Sequence, residues 1–144
     1  MLTTIEKVIT LKTVSIFSQT ADEVLAEIAS ILKEQTVQAG EIIVRKGDIG
    51  NSLYIIVDGQ VRVHDGDHTL AHLQGRDIFG ELAVLDSEPR SATITATVET
   101  QLFCLDQESL YELMVTRVEV IYGIMRVLCQ RVRQQNQKLV QARQ

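Results

Sequence analysis

The sequence predicts a mainly β domain, an antiparallel barrel or jelly roll with helices at both ends. Three observations carry this reading. Apolar residues keep a helical period at the start, shift toward alternation from Thr36, and return to a helical period at the end. Glycine and Asp-Gly signals punctuate the middle at Gly40, Gly47-Asp48, Asp58-Gly59 and Asp65-Gly66, in the manner of hairpin turns. Between them residues 53–57 form a continuous apolar run, while Val61 and Val63 alternate with Arg62 and His64 as in a half-buried strand. Short antiparallel strands with such regular turn signals close into a barrel or a double sheet.

Each element has its own signal. Leu2, Ile5, Val8 and Ile9 sit at helical spacing, and Thr20, Ala21, Asp22 and Glu23 read as a capping box opening a second helix with Val24, Leu25, Ile28, Ile31 and Leu32 on one face. After the central strands, Ala92, Ile94, Ala96 and Val98 alternate with Thr93, Thr95, Thr97 and Glu99, and residues 102–105 form a further strand. Asp106 is placed to cap a short helix carrying Leu110, Leu113 and Met114. Thr116, Arg117, Val118 and Glu119 then read as a second capping box, opening a long helix with Ile121, Ile124, Leu128 and Leu139. The chain divides into N-terminal helices (1–33), the β region (34–105) and C-terminal helices (106–144), within one domain spanning 1–144.

A length of 144 residues excludes a multidomain enzyme, and 45% hydrophobic with 23% charged residues is an ordinary globular composition. There is no apolar stretch of ~18 residues and the first seven residues lack signal-peptide character, so a cytoplasmic chain, or the cytosolic domain of a larger or membrane protein, is expected. Cys104 and Cys129 have no metal-type spacing and are expected as buried free thiols. The net charge of −5 is uneven: residues 117–144 carry +5 and the rest −10. Direct nucleic-acid binding is therefore not expected, although the basic terminal helix suits an anion, an acidic partner or a membrane surface.

Segment 75–91 interrupts the strands and holds the only proline, Pro89. Gly80, Glu81, Leu82 and Ala83 can form a helical turn whose backbone amides face an anion, with Gly80 permitting close approach. Arg90 adds a planar fork of donors matched to two phosphate oxygens. A carboxylate beside a phosphate is repelled by it, so Glu81 is better suited to accept hydrogen bonds from sugar hydroxyls. Phosphate plus sugar hydroxyl describes a nucleotide.

Phe79, Gly80, Glu81, Leu82 and Ala83, followed by Pro89, Arg90, Ser91 and Ala92, resemble the phosphate-binding cassette of the cyclic nucleotide-binding domain family. The likeness extends through Phe17-Ser18, Gly40-Glu41, Gly47-Asp48, Leu53-Tyr54-Ile55-Ile56 and Asp58-Gly59, which recur in kinase regulatory subunits, gated channels and the catabolite activator protein. The resemblance implies an eight-stranded jelly roll (double-stranded β-helix) with N-terminal helices and a C-terminal helical lid. It also implies a bound cyclic nucleotide, with the amides around Gly80, Leu82 and Ala83 and the Arg90 fork on the cyclic phosphate, and Glu81 on the ribose 2′-hydroxyl. Ser91 would meet the phosphate or purine, or satisfy the local backbone. The helix from Arg117 onward would close over the base, bringing Arg131, Gln135 and Asn136 nearest to it. Catabolite activator relatives continue into a helix-turn-helix, and this chain stops at Gln144 without room for one.

His64, His68 and His72 recur every four residues, but residues four apart on a strand lie ~13 Å apart, too far to share a metal, so solvent-facing histidines are expected. No catalytic constellation appears, and neither enzyme activity nor a cofactor is expected beyond the ligand, cAMP or cGMP, with cAMP favoured. The series Ile121, Ile124, Leu128, Arg131, Gln135 and Lys138 or Leu139 reads as a homodimer seam or as the face that packs on the barrel. The expected function is a sensor that passes ligand occupancy to an effector through the helix at 117–138, with Gly123 weakening that helix. The alternative is a vestigial, non-binding member serving assembly.

Overall fold

Alternating apolar side chains build eight strands, and the computed structural model, which describes residues 2–143, pairs them into two four-stranded antiparallel sheets. One sheet runs β1 (Lys33–Val37), β8 (Thr100–Asp106), β3 (Ser52–Asp58), β6 (Ile78–Phe79). The other runs β2 (Ile42–Val44), β7 (Thr93–Ala96), β4 (Gln60–Asp65), β5 (His68–Gln74). Val37, Ile56, Phe79 and Leu102 from the first sheet meet Val61, Ile94 and Ala96 from the second in one buried cluster. This is the expected jelly roll. The apolar run at 53–57 belongs to a strand buried on both faces, since Leu53, Ile55 and Ile56 are each at most 1% exposed.

Only one of the four turn signals closes a hairpin. Asp65 pairs with His68 across Gly66 and Asp67, with Gly66 at φ +57°. The chain instead changes sheets at Gly40, between β1 and β2, and at Asp58-Gly59, between β3 and β4. Gly59 is required at its corner: it has φ +120°, and a Cβ would lie 2.4 Å from Thr100 Oγ1. Gly47-Asp48 pairs with the backbone at Arg90. The strand expected across residues 92–99 is confined to β7, and Thr97, just beyond it, donates both its backbone N–H at 3.0 Å and its hydroxyl at 3.1 Å to the Gln60 carbonyl.

Residues 31–110 form one unit, and residues 1–30 with 111–144 form a second. The second unit contains α1 (Thr4–Thr13), a 3-10 turn (Ser15–Phe17), α2 (Asp22–Ser30) and the long α5 (Val118–Ala142). Leu11, Ile16, Phe17, Leu25 and Ile28 are fully buried, as are Val120 and, nearly, Ile124 and Val127 of α5. Arg117 pairs with Glu27, and Lys12 with Asp22 at 2.6 Å. Gly123 is buried where a Cβ would lie 2.9 Å from Thr20 Oγ1 and 3.2 Å from the Gln19 carbonyl, so it serves close approach as well as lowering helix propensity.

Neither threonine capping box forms. The Thr20 hydroxyl is buried without a hydrogen-bond partner, and Thr116 donates its hydroxyl back to the Leu113 carbonyl at 3.0 Å. Glu119 occupies the start of α5 instead, its carboxylate accepting from its own backbone N–H and lying 3.4 Å from Arg117 Nε. Cys104 is half-buried and Cys129 exposed, which corrects the expectation for Cys129. Of the series read as a dimer seam or a packing face, Ile124 is buried and Arg131 donates to Ser15 Oγ, whereas Ile121, Gln135, Lys138 and Leu139 are exposed. The exposed face of α5 carries Val118, Tyr122, Met125, Cys129, Val132, Asn136 and Leu139.

Asp106 does cap α4 (Gln107–Thr116): Oδ1 accepts from the Ser109 N–H at 2.8 Å, while Oδ2 lies 2.8 Å from Lys33 Nζ. Lys33 first, then the Ser109 amide, hold this carboxyl below its ordinary pKa. Its contribution is therefore complete above the unfolded carboxyl pKa of ~4 and is lost as pH falls through the depressed folded value. Asp106→Ala should cost about 1 kcal/mol in urea unfolding at pH 7. The gap to the parent should narrow below pH ~4, and a gap independent of pH would show that the charge plays no part.

Candidate functional site

Segment 75–91 leaves the first sheet through β6, where Phe79 pairs with Tyr54 and their rings stack at 4.9 Å. Gly80 then turns the chain at φ +79°, and a Cβ there would lie 2.3 Å from the Ser52 carbonyl oxygen and 2.7 Å from Arg90 Nη1. No other residue type fits. The turn runs into α3 (Ala83–Asp86): Val84 donates its N–H to the Gly80 carbonyl at 3.3 Å, and Asp86 to that of Leu82 at 3.0 Å. Ser87 ends the helix in left-handed backbone at φ +55°, while the side chain of Val84, fully buried, anchors it.

Arg90 reaches the same place from the opposite side. Its backbone N–H donates to the Asp48 carbonyl at 2.8 Å, and its carbonyl accepts from the Gly47 N–H at 2.8 Å. Its Nη2 donates to the Ser52 carbonyl at 3.0 Å. Burial pulls its pKa down, against smaller opposing effects of Tyr54 and Cys104, but a guanidinium keeps its charge. Burial likewise pushes the Tyr54 hydroxyl and the Cys104 thiol up, so both are neutral at pH 7. Among the described residues no carboxylate is ion-paired with Arg90.

The result is an open hollow of about 470 Å³ lined by Phe79, Gly80, Glu81, Leu82, Ala83, Arg90 and Ser91, among others. All six cassette positions expected at the ligand thus come together. Glu81 is half-buried, Leu82 is 47% exposed and Ser91 is exposed. Arg131, Gln135 and Asn136 belong to the other unit, where Arg131 contacts Ser15 and the other two are exposed on α5. Sequence reasoning missed Gly50 and the Ser52 carbonyl, whose contacts with Arg90 cross about forty residues of chain.

The histidines form no centre. The His64 Nδ1 lies 2.8 Å from the Gly66 carbonyl and Nε2 2.8 Å from Thr95 Oγ1, while His68 and His72 are exposed. Among the described residues no cluster of three His, Cys, Asp or Glu is placed to hold a metal, and no helix is long and apolar enough to cross a membrane.

The chain is 42% identical over 89 residues to a cAMP-dependent protein kinase regulatory subunit of Dictyostelium discoideum, covering 56% of this chain and 27% of that one. It is 30% identical over 129 residues to a CRP-like cAMP-activated global transcriptional regulator of Mycobacterium tuberculosis, covering 86% of this chain and 58% of the relative. It therefore spans about a quarter and somewhat over half of these relatives' lengths. The solved N-terminal domain of a transcriptional regulator from Streptomyces coelicolor superposes with a TM-score of 0.80 at 31% identity, over 89% of this chain and 95% of that one. Such domains are regulatory modules rather than enzymes. Residues 34–117 match the family model described as the cyclic nucleotide-binding domain, the whole of the β region with its Arg90 site included, and the chain belongs to that family.

Proposed function

We propose that this chain is a sensor for a cyclic nucleotide, with cAMP preferred over cGMP, working in the cytoplasm. The observation that carries the reading is a half-buried guanidinium, held by a neutral carbonyl and facing the turn at Gly80. A cyclic phosphate suits this guanidinium as counter-ion: its oxygens take the Arg90 fork and the amides around Gly80, Leu82 and Ala83. Glu81 accepts the ribose 2′-hydroxyl, and Ser91 lies at the rim. The cAMP dependence named for both relatives, a cAMP-dependent kinase subunit and a cAMP-activated regulator, supports adenine over guanine. Arg131, Gln135 and Asn136 are the base contacts of this reading.

The ligand acts on an effector through α5, and differential contact with the purine is what gives it leverage over that helix. The exposed apolar stripe of α5 favours a homodimer as the carrier of the signal. Val118, Met125, Val132 and Leu139 alternate with Tyr122, Cys129 and Asn136 at 3,4 spacing, the repeat of a two-stranded coiled coil. In a parallel pair, Arg126 and Arg133 lie opposite the uncharged Ile121 and Leu128 of a second copy. That stripe equally supports the second reading, a non-binding assembly domain, and calorimetry separates the two.

Titration with cAMP, cGMP and a noncyclic nucleotide should show cyclic nucleotide binding with cAMP tighter, whereas silence supports the assembly domain. Arg90→Ala should cost about 2–4 kcal/mol of binding and Glu81→Gln less. A folded Arg90→Ala protein that binds as the parent does would remove the phosphate assignment. Hydrogen exchange should show residues 117–138 changing protection with cAMP; protection confined to 75–91 would mean the signal leaves elsewhere. Met125→Glu should turn a sedimenting dimer into a monomer, and an unaltered dimer would exclude the stripe.

A further inference from the structure

Residues 47–50 run antiparallel to residues 88–90. Gly50 donates its N–H to the Glu88 carbonyl at 3.0 Å, Arg90 to that of Asp48 at 2.8 Å, and Ile49 bridges Pro89. This pairing fixes the backbone on both sides of the arginine. Gly50 itself is buried, and its backbone lies outside the left-handed region, so no turn requires glycine there. Space does. A Cβ on Gly50 would lie 2.6 Å from Arg90 Nε, 2.9 Å from its Cζ and 2.9 Å from the Cβ of Ala83. On the other side, a Cβ on Gly80 would lie 2.7 Å from Nη1 and 3.3 Å from Nη2. The guanidinium thus occupies the room left by two absent side chains.

We infer that Gly50 is a positioning residue for the nucleotide site, whose missing side chain seats the Arg90 guanidinium against the Ser52 carbonyl and beside Ala83. The inference rests on the reading of Arg90 as the phosphate contact and adds to it a residue outside segment 75–91. With the backbones at 47–50 and 88–90 tied together, a methyl group at Gly50 has little room to retreat. The flexible arginine gives way first. Its fork then leaves the Ser52 carbonyl and no longer meets the phosphate in the bidentate geometry, and misplacement by about 1 Å is enough to weaken such a contact severely.

The test combines binding with a direct view of the side chain. Calorimetry with cAMP on the full chain should show Gly50→Ala weakening binding by roughly tenfold or more, with Gly50→Ala/Arg90→Ala no weaker than Arg90→Ala alone. The Nε–H cross-peak of Arg90, assigned by its loss in Arg90→Lys, should shift in Gly50→Ala without any nucleotide. A folded Gly50→Ala protein that binds within about twofold of the parent overturns the inference, wherever the cross-peak falls. Should the parent itself bind no cAMP, the sensor reading fails, and the cross-peak still decides: unmoved, it overturns the role of Gly50 as the arginine's seat. If Gly50→Ala does not fold, folding of the double variant identifies Arg90 as the obstruction. Failure of both identifies Ala83 instead and overturns the proposal.

Discussion

A half-buried guanidinium held only by neutral groups is the constraint around which the β unit is arranged. Desolvating a positive charge without a counter-ion is costly, and a carboxylate partner would relieve the cost at once. Arg90 has none among the described residues; it has the Ser52 carbonyl, a neutral tyrosine and a neutral thiol. Such an arrangement keeps the positive charge available to an anion arriving from outside. The two glycines on either flank and the pairing of 47–50 with 88–90 all serve to keep that group in one place.

The jelly-roll connections make this possible. Ser52 begins β3 while Arg90 precedes β7, and these strands lie in different sheets. The chain crosses between sheets at Gly40 and Asp58-Gly59, so the two strand ends that frame the hollow come from distant stretches of sequence. Segment 75–91 supplies the remaining wall as a local unit, held to the sheet by the pairing of Ile78 and Phe79 with Ile55 and Tyr54 and by the buried Val84.

Much of this was legible in the sequence because the informative contacts are local. Alternation around Val61 and Val63 marked β4, and the closely spaced glycine, glutamate and arginine of the cassette marked the site. The turn signals were misread because a glycine reports a change of direction without reporting which sheet the next strand joins. The threonine caps failed for a competing local reason: the Thr116 hydroxyl bonds the preceding turn instead. On α5 both faces are apolar, and spacing alone does not say which one the N-terminal helices cover. Gly50 was silent because its reason for being glycine lies forty residues away.

The helical unit is assembled from both ends of the chain, whereas the β unit is continuous from 31 to 110. During synthesis, residues 1–30 emerge first but lack the segment that buries Gly123, Ile124 and Val127 beside them in the same unit. They must wait until residues 111–144 leave the ribosome. The β unit is complete before that moment, so it is the part able to fold first during synthesis, and closure of the helical unit follows once residues 111–144 have emerged. Truncation at either terminus therefore strikes the same unit.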